Sequence, residues 1–170
     1  HARALSTQLV AQICAEIDRM GPMPFQRYME LALYAPGLGY YAAGSRKFGA
    51  AGDFITAPEL GSVFAQGVAQ ALAHTLQQFA QPTVMEIGAG SGALAIDLLS
   101  ALEQRNALPA RYLILERSAD LRQRQRQRIE QQAPQHVDRV VWIDAPPELP
   151  FDGAIIGNEV VDALACVRFT

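Results

Sequence analysis

Hydrophobic residues in the first part of the chain recur at helical spacing. Leu9, Ile13 and Ile17 lie four residues apart, and Ser6 is a favourable N-cap ahead of them. Proline and glycine interrupt this pattern and separate one predicted helix from the next. The predicted helices of this part cover residues 6–20, 24–33 and 58–79.

Beyond residue 80 the pattern changes to short apolar runs separated by further helical segments. Short apolar runs bounded by turn residues are typical of buried strands, and strands that alternate with helices predict a parallel sheet. We therefore expect an α/β fold, with a helical region at 1–80 and a sheet domain at 81–170. The predicted strands are 84–87, 111–116, 139–143 and 151–157, with helices at 93–102 and 120–132.

Three glycines, Gly88, Gly90 and Gly92, fill the turn between the first strand and its helix. Glycines allow a tight turn and bring bare backbone against a ligand at the start of a helix. A tight turn without ligand is the simplest alternative. Gly88-x-Gly90-x-x-Ala93 also fits the dinucleotide fingerprint. Glu86 and the alternating glycines favour a different cofactor.

Polar residues follow the predicted second and fourth strands. Glu116 ends the second strand, where nucleotide-type sites hydrogen-bond ribose hydroxyls. Asn158, Glu159 and Asp162 follow the fourth strand, which we expect beside the first. Such a polar group is costly to bury without a partner, so it predicts a ligand site, with a helix cap as the alternative. Asp144, after the third strand, is a further candidate for an adenine contact.

Two other polar segments can be explained at least in part by structural roles. Thr56-x-x-Glu59 is a capping box, whereas Asp53, between a glycine and a phenylalanine, is a candidate ligand contact, with a surface turn as the alternative. The helix at 120–132 carries arginines two residues apart, a spacing that scatters them around the helix and predicts a solvated surface, with a binding patch as the alternative.

Composition excludes several classes of function. The chain of 170 residues is 50% hydrophobic with a formal charge of -3, so we expect no nucleic-acid partner. No apolar run is long enough to span a bilayer, so we expect no membrane insertion. The two cysteines, Cys14 and Cys166, lie among apolar residues in the sequence and lack metal-ligand spacing; we expect reduced core thiols and no metal site.

Four segments together resemble one family, the MidA-like methyltransferases, whose mitochondrial members assist assembly of respiratory complex I. The resemblance runs from about residue 23 to the C-terminus. Gly61 and Ala165 depart from the family's usual residues. The matching segments are Phe25-x-x-Tyr28-Met29 with Leu33-Tyr34-x-Pro36-x-x-Gly39-Tyr40-Tyr41, Gly52-Asp53-Phe54-x-Thr56-x-Pro58-Glu59, Glu86-x-Gly88-x-Gly90-x-Gly92 and Asn158-Glu159-x-x-Asp162-Ala163-Leu164.

This resemblance implies a Rossmann-like class I methyltransferase that uses S-adenosyl-L-methionine and acts on an arginine of a protein. It implies cytoplasmic location in bacteria and the mitochondrial matrix in eukaryotes. The substrate guanidinium would be held by Glu159, Asp162 and Asp53. The implied cofactor residues are Glu86, Gly88, Gly90, Gly92, Glu116 and Asn158.

Two other functions remain open at this stage. An NAD(P)-dependent oxidoreductase is supported only by the dinucleotide fingerprint, and no acid for hydride transfer is evident. A non-catalytic assembly factor would keep the fold and bind a partner. A class I methyltransferase sheet also has more strands than the four predicted, so we expect a chain truncated after the fourth strand.

Overall fold

The structure, a computed structural model, describes residues 2–41 and 57–168, without the side chains of residues 2–5, 59 and 60. Its main elements are α1 (Ala2–Met20), α2 (Phe25–Tyr34), α3 (Val63–Leu76), β1 (Thr83–Ile87), α4 (Ala93–Glu103), β2 (Arg111–Leu115), α5 (Ala119–Gln132), β3 (Val140–Ile143) and β4 (Gly153–Gly157). Short 3-10 helices cover Ala57–Leu60, Pro134–Arg139 and Val161–Ala163.

The described residues divide between two compact units. The first contains α1, α2 and the residues from Glu159 onward, and the second contains residues 57–158. This division differs from a boundary at residue 80, because α3 packs with the helices and strands of the second unit.

The second unit is built on a parallel sheet with the strand order β3-β2-β1-β4. Ile87, the last residue of β1, lies opposite Leu115 of β2 and Gly157 of β4, so the three strands end level with one another. The winding direction reverses between β1 and β4, which is where open α/β sheets bind ligands. This order confirms the predicted Rossmann-like α/β fold and the placement of the fourth strand beside the first.

One face of the sheet carries the core of the second unit. Val84, Tyr112 and Ile114 are fully buried there, and the register of β1 with β2 puts their side chains on the same side. Each fully buried leucine contributes about 1.5–3 kcal/mol, so this packing fixes β1 and the turn that follows it. Helices α3 and α4 cover the face with Ala65, Ala69, Leu76, Leu94, Leu98 and Leu102.

In the first unit the residues after β4 pack on α2. The Tyr34 hydroxyl donates to the carbonyl oxygen of Ala163 at 2.5 Å. The Cys166 Sγ lies 3.7 Å from the Met29 Sδ. The segment that carries Glu159 and Asp162 is therefore attached to α2.

Three local predictions from the sequence are wrong. Helix α1 begins at Ala2, so Ser6 lies inside it and is not its N-cap. The single helix expected at 58–79 is interrupted at Gly61, whose φ of 133° suits glycine, and α3 starts two residues later. Cys14 and Cys166 are both exposed, so neither is a core thiol.

Candidate functional site

The turn between β1 and α4, here called the glycine loop (residues 88–92), has left-handed backbone angles at its three glycines. The φ angle is 66° at Gly88, 54° at Gly90 and 82° at Gly92. A residue with a side chain pays about 1–2 kcal/mol for that conformation. The Gly92 N–H donates to the carbonyl of Ala89 at 2.8 Å, and α4 begins at the next residue. The loop therefore presents bare backbone at the carboxyl end of β1.

Glu116 lies directly after β2, at the same edge of the sheet. Its Oε1 accepts a hydrogen bond of 2.9 Å from the backbone N–H of Ser118. The Ser118 Oγ in turn accepts from the backbone N–H of Leu121 at 3.3 Å and so caps α5. A carboxylate at the start of a helix is favoured by the helix dipole. The hydrogen bond from Ser118 thus ties the Glu116 carboxylate to the start of α5, and the residue is half-buried.

Gln125, which the sequence pattern did not single out, joins the loop to Glu116. Its fully buried amide donates from Nε2 to the carbonyl of Gly90 at 2.9 Å. The same nitrogen lies 3.5 Å from Glu116 Oε2, and Oε1 accepts from the Trp142 indole N–H at 2.9 Å. A signal was present, because Gln125 stands midway between Leu121 and Ile129 on the inward face of α5.

The arginines of α5 only partly match the predicted solvated surface. Arg124 is exposed and pairs with Asp120 at 2.8 Å. The exposed Arg126 guanidinium lies 4.6 Å from the centre of the Trp142 ring. Arg128 departs from the prediction, because it is half-buried and donates to the Ser91 Oγ of the glycine loop at 2.5 Å.

Glu86, two residues before the loop, lies inside the second unit. Only 3% of the residue is exposed, and its Oε2 accepts a hydrogen bond of 2.7 Å from the Tyr112 hydroxyl. Burial raises the pKa of the Glu86 carboxyl to about 7, although the hydrogen bond from Tyr112 acts in the opposite direction. This buried position favours a structural role for Glu86 in the strand that leads into the loop. A contact with the cofactor stays a prediction.

Asn158 lies at the edge of the sheet that carries the glycine loop. It follows Gly157, which is opposite Ile87, and it is half-buried. The structure therefore brings the loop, Glu116 and Asn158 to one edge of the sheet. Their roles toward a cofactor stay predictions.

The three acids assigned to the substrate are less constrained. Glu159 and Asp162 belong to the first unit and are exposed, and Glu159 has a left-handed φ of 51°. Burial, and next the charge of Asp162, raise the pKa of the Tyr41 hydroxyl. Asp53, like Thr56 of the expected capping box, lies outside the described residues. The assignment of these acids therefore stays a prediction.

The described residues contain neither a metal-binding cluster nor a helix suited to spanning a membrane. No cluster of three or more histidine, cysteine, aspartate or glutamate side chains there has an arrangement able to hold a metal ion. No helix in ranges 2–41 and 57–168 combines the length and apolar character needed to cross a bilayer.

Comparison with protein families and curated proteins gives consistent matches. A family model described as "Putative S-adenosyl-L-methionine-dependent methyltransferase" matches residues 65–170. The mitochondrial protein arginine methyltransferase NDUFAF7 homolog of Drosophila melanogaster is 37% identical over 97 residues, which cover 55% of this chain and 22% of that protein. Its Caenorhabditis elegans counterpart is 29% identical over 171 aligned positions, which cover 88% of this chain and 40% of that protein.

A solved structure is similar over nearly the whole chain. It is a Burkholderia thailandensis protein crystallised with bound S-adenosyl-homocysteine, with 47% identity and a TM-score of 0.84. The match covers 94% of this chain and 42% of that one. The present chain thus spans less than half the length of each of these three relatives.

Proposed function

The chain belongs to the family of S-adenosyl-L-methionine-dependent methyltransferases, as its resemblance to the MidA-like proteins predicted, and from that premise we propose that it methylates an arginine of a protein. The cofactor of this family is S-adenosyl-L-methionine. The observation that carries the proposal is the left-handed glycine loop beside Glu116, at the edge of the sheet where the winding direction reverses.

The residues at this edge suit such a cofactor. The loop has no side chain at Gly88 or Gly90, so a ligand can approach its backbone closely. Glu116 supplies carboxylate oxygens that can accept hydrogen bonds from ribose hydroxyls. Asn158 offers an amide with both a donor and an acceptor. These groups would hold the cofactor at the end of β1.

The main task of the protein in this reaction is to position the cofactor and the substrate nitrogen. The cofactor supplies a methyl group on a sulfonium, and the transfer is an in-line displacement by the substrate nitrogen. An arginine guanidinium remains protonated in water because its pKa is above about 12. Carboxylates bind its planar fork in a bidentate manner and can leave one nitrogen free. In the proposal Glu159, Asp162 and Asp53 do this, and one of these carboxylates accepts the proton that the nitrogen loses as the N–C bond forms, the sulfur–methyl bond breaks and S-adenosyl-homocysteine leaves.

The names of two relatives support arginine as the residue that is methylated. Both NDUFAF7 homologs named above are protein arginine methyltransferases by name, and both are mitochondrial. If the source is eukaryotic, the proposal places the protein in the mitochondrial matrix, with a complex I subunit as substrate. If the source is bacterial, the proposal places the protein in the cytoplasm. A non-catalytic assembly factor that retains cofactor binding is the alternative.

Two measurements on the protein at its natural length test this function. Calorimetric titration should detect binding of S-adenosyl-homocysteine and much weaker binding of NADH; the reverse order would overturn the methyltransferase. Methyl incorporation into an arginine peptide should exceed incorporation into the same peptide with lysine at that position. Cofactor binding without incorporation into either peptide would favour the assembly factor.

A further inference from the structure

A buried polar side chain occupies the point where α5 crosses the glycine loop. Gln125 is fully buried, and its neighbours along the inward face of α5 are Leu121 and Ile129. A glutamine amide without partners in such a place is costly, so an apolar residue would be the simpler choice for packing. The partners of Gln125 explain why an amide stands there.

Those partners define which way the amide faces. The Trp142 indole nitrogen is only a donor, and the Gly90 carbonyl is only an acceptor. Oε1 must therefore face Trp142, and Nε2 must face Gly90, as the distances of 2.9 Å for both contacts require. With this orientation, Nε2 is also the atom turned to Glu116 Oε2, at 3.5 Å.

The amide thereby joins two parts of the proposed cofactor site. The Gly90 carbonyl belongs to the loop after β1, and Glu116 follows the neighbouring strand β2. Gly92 lies against the same side chain, since a Cβ added there would be 3.5 Å from the Gln125 Cγ. One residue thus contacts both the backbone loop and the carboxylate.

A second side chain of α5 contacts the next residue of the loop. Arg128 is three positions after Gln125, on the same side of the helix, and it donates to the Ser91 Oγ. That oxygen also accepts from the Ala93 N–H at 3.3 Å, at the start of α4. The loop is therefore held at two consecutive residues by one helix.

We propose that Gln125 is a positioning residue that holds the glycine loop and Glu116 in their cofactor-binding arrangement before the cofactor arrives. A loop with three left-handed residues has many other conformations once it is released, and ordering it on binding would weaken affinity. This inference rests on the proposed function, because it assigns the residue a role toward the same cofactor.

The test is made in the protein at its natural length. It compares Gln125→Met with the unsubstituted protein, called the parent, and with Gln127→Met, an exposed control on the same helix. Methionine keeps a similar length but removes the amide. Calorimetry would measure S-adenosyl-homocysteine and its analogue lacking both ribose hydroxyls. We expect Gln125→Met to bind S-adenosyl-homocysteine about tenfold more weakly, the effect of losing about one hydrogen bond to a positioned group.

The ratio of the affinities for S-adenosyl-homocysteine and for the analogue without ribose hydroxyls distinguishes positioning from general destabilisation of the protein. In the parent, the ribose hydroxyls should add affinity through Glu116; in Gln125→Met this gain should shrink, because the carboxylate is no longer aligned. An unchanged ratio in a folded Gln125→Met protein would overturn the inference. A parent that binds neither ligand would instead overturn the proposed function.

A second variant covers the case in which Gln125→Met does not fold. Trp142→Phe keeps an aromatic ring beside Arg126 but removes the indole donor that orients the Gln125 amide. We expect the ratio of the two affinities to fall by about threefold, less than in Gln125→Met, because the amide is still present but can rotate. A ratio equal to that of the parent would contradict the proposed role of the amide orientation.

Discussion

The glycine loop and the acidic segment after β4 are held by different kinds of contact. The loop is held by the buried Gln125 amide, and a second buried polar residue, Glu86, lies two residues before it in β1. The acidic segment is attached to α2 through the Ala163 carbonyl, and its carboxylates at Glu159 and Asp162 are exposed.

This difference matches the two tasks in the proposed function. A cofactor site gains from rigidity, because every reaction uses the same ligand and pre-organisation lowers the entropic cost of binding. Carboxylates that meet a cationic side chain can remain solvated until the substrate arrives, and so they need no buried partner. Substitutions in the loop should therefore change cofactor binding, whereas substitutions of the acids should change methyl transfer.

The largest effect is expected for Gly90→Val in the glycine loop. Gly90 has a φ of 54°, which a β-branched residue adopts only with strain. Strain of about 1–3 kcal/mol, together with the loss of close backbone approach, should lower the affinity for S-adenosyl-homocysteine by about a hundredfold or more. Calorimetric titration measures this loss, and circular dichroism should show a folded protein.

Gly67→Ala provides the matched control. Gly67 lies in α3 within the same unit, where an added Cβ has open space. This variant should bind like the parent. If Gly90→Val also binds like the parent, the loop is not the cofactor site and the comparison between the two regions fails.

The next effect concerns Glu86 and the dependence of stability on pH. The pKa of this buried acid is raised from 4.5 to about 7, so the folded protein keeps a proton that the unfolded chain has already lost between these values. The contribution of Glu86 to stability should therefore be fully present below about pH 4.5 and should be lost as the pH rises to about 7, a decrease of about 3 kcal/mol in total. In Glu86→Gln this decrease should be absent, because an amide does not titrate.

Chemical denaturation at pH 5 and pH 8 measures the decrease. The exposed Glu130→Gln on α5 is the control and should keep the parent's pH dependence. Cofactor affinity of Glu86→Gln should change little if Glu86 stabilises the fold and does not contact the cofactor. Parallel pH profiles for Glu86→Gln and the parent would show that the carboxylate is not the titrating group.

The sequence was sufficient to predict elements whose signals are local. The run from Val84 to Gly92 combines an apolar strand with three glycines, and both the strand and the loop lie where they were expected. Glu116 and Asn158 were also placed correctly at the ends of their strands, because parallel strands end at one edge.

Other features depend on packing that no short pattern reveals. Gln125 looks like one of several polar residues in α5, and only the approach of that helix to Gly90 and Trp142 gives it three partners. The exposure of Cys14 follows from which face of α1 is covered, and an apolar neighbourhood in the sequence does not determine that. The break at Gly61 was missed because the residues around it are compatible with a continuous helix.

The smallest expected effect concerns Glu159→Gln in the acidic segment. A charge-assisted contact with a guanidinium is typically worth about 1.5–3 kcal/mol. Removal of the charge should therefore lower methyl incorporation into an arginine peptide by roughly ten- to a hundredfold, since about 1.4 kcal/mol corresponds to a factor of ten. Affinity for S-adenosyl-homocysteine should remain close to that of the parent.

The pair of measurements decides where Glu159 acts. Asp152→Asn, at an exposed acid before β4, is the control and should change neither quantity. Loss of cofactor affinity in Glu159→Gln would assign this residue to the cofactor site together with Asn158. Full activity would remove it from the proposed mechanism, leaving Asp162 and Asp53 as the acids to test. Only reduced transfer with unchanged binding separates the acidic segment from the glycine loop, because a shared role would lower both quantities together.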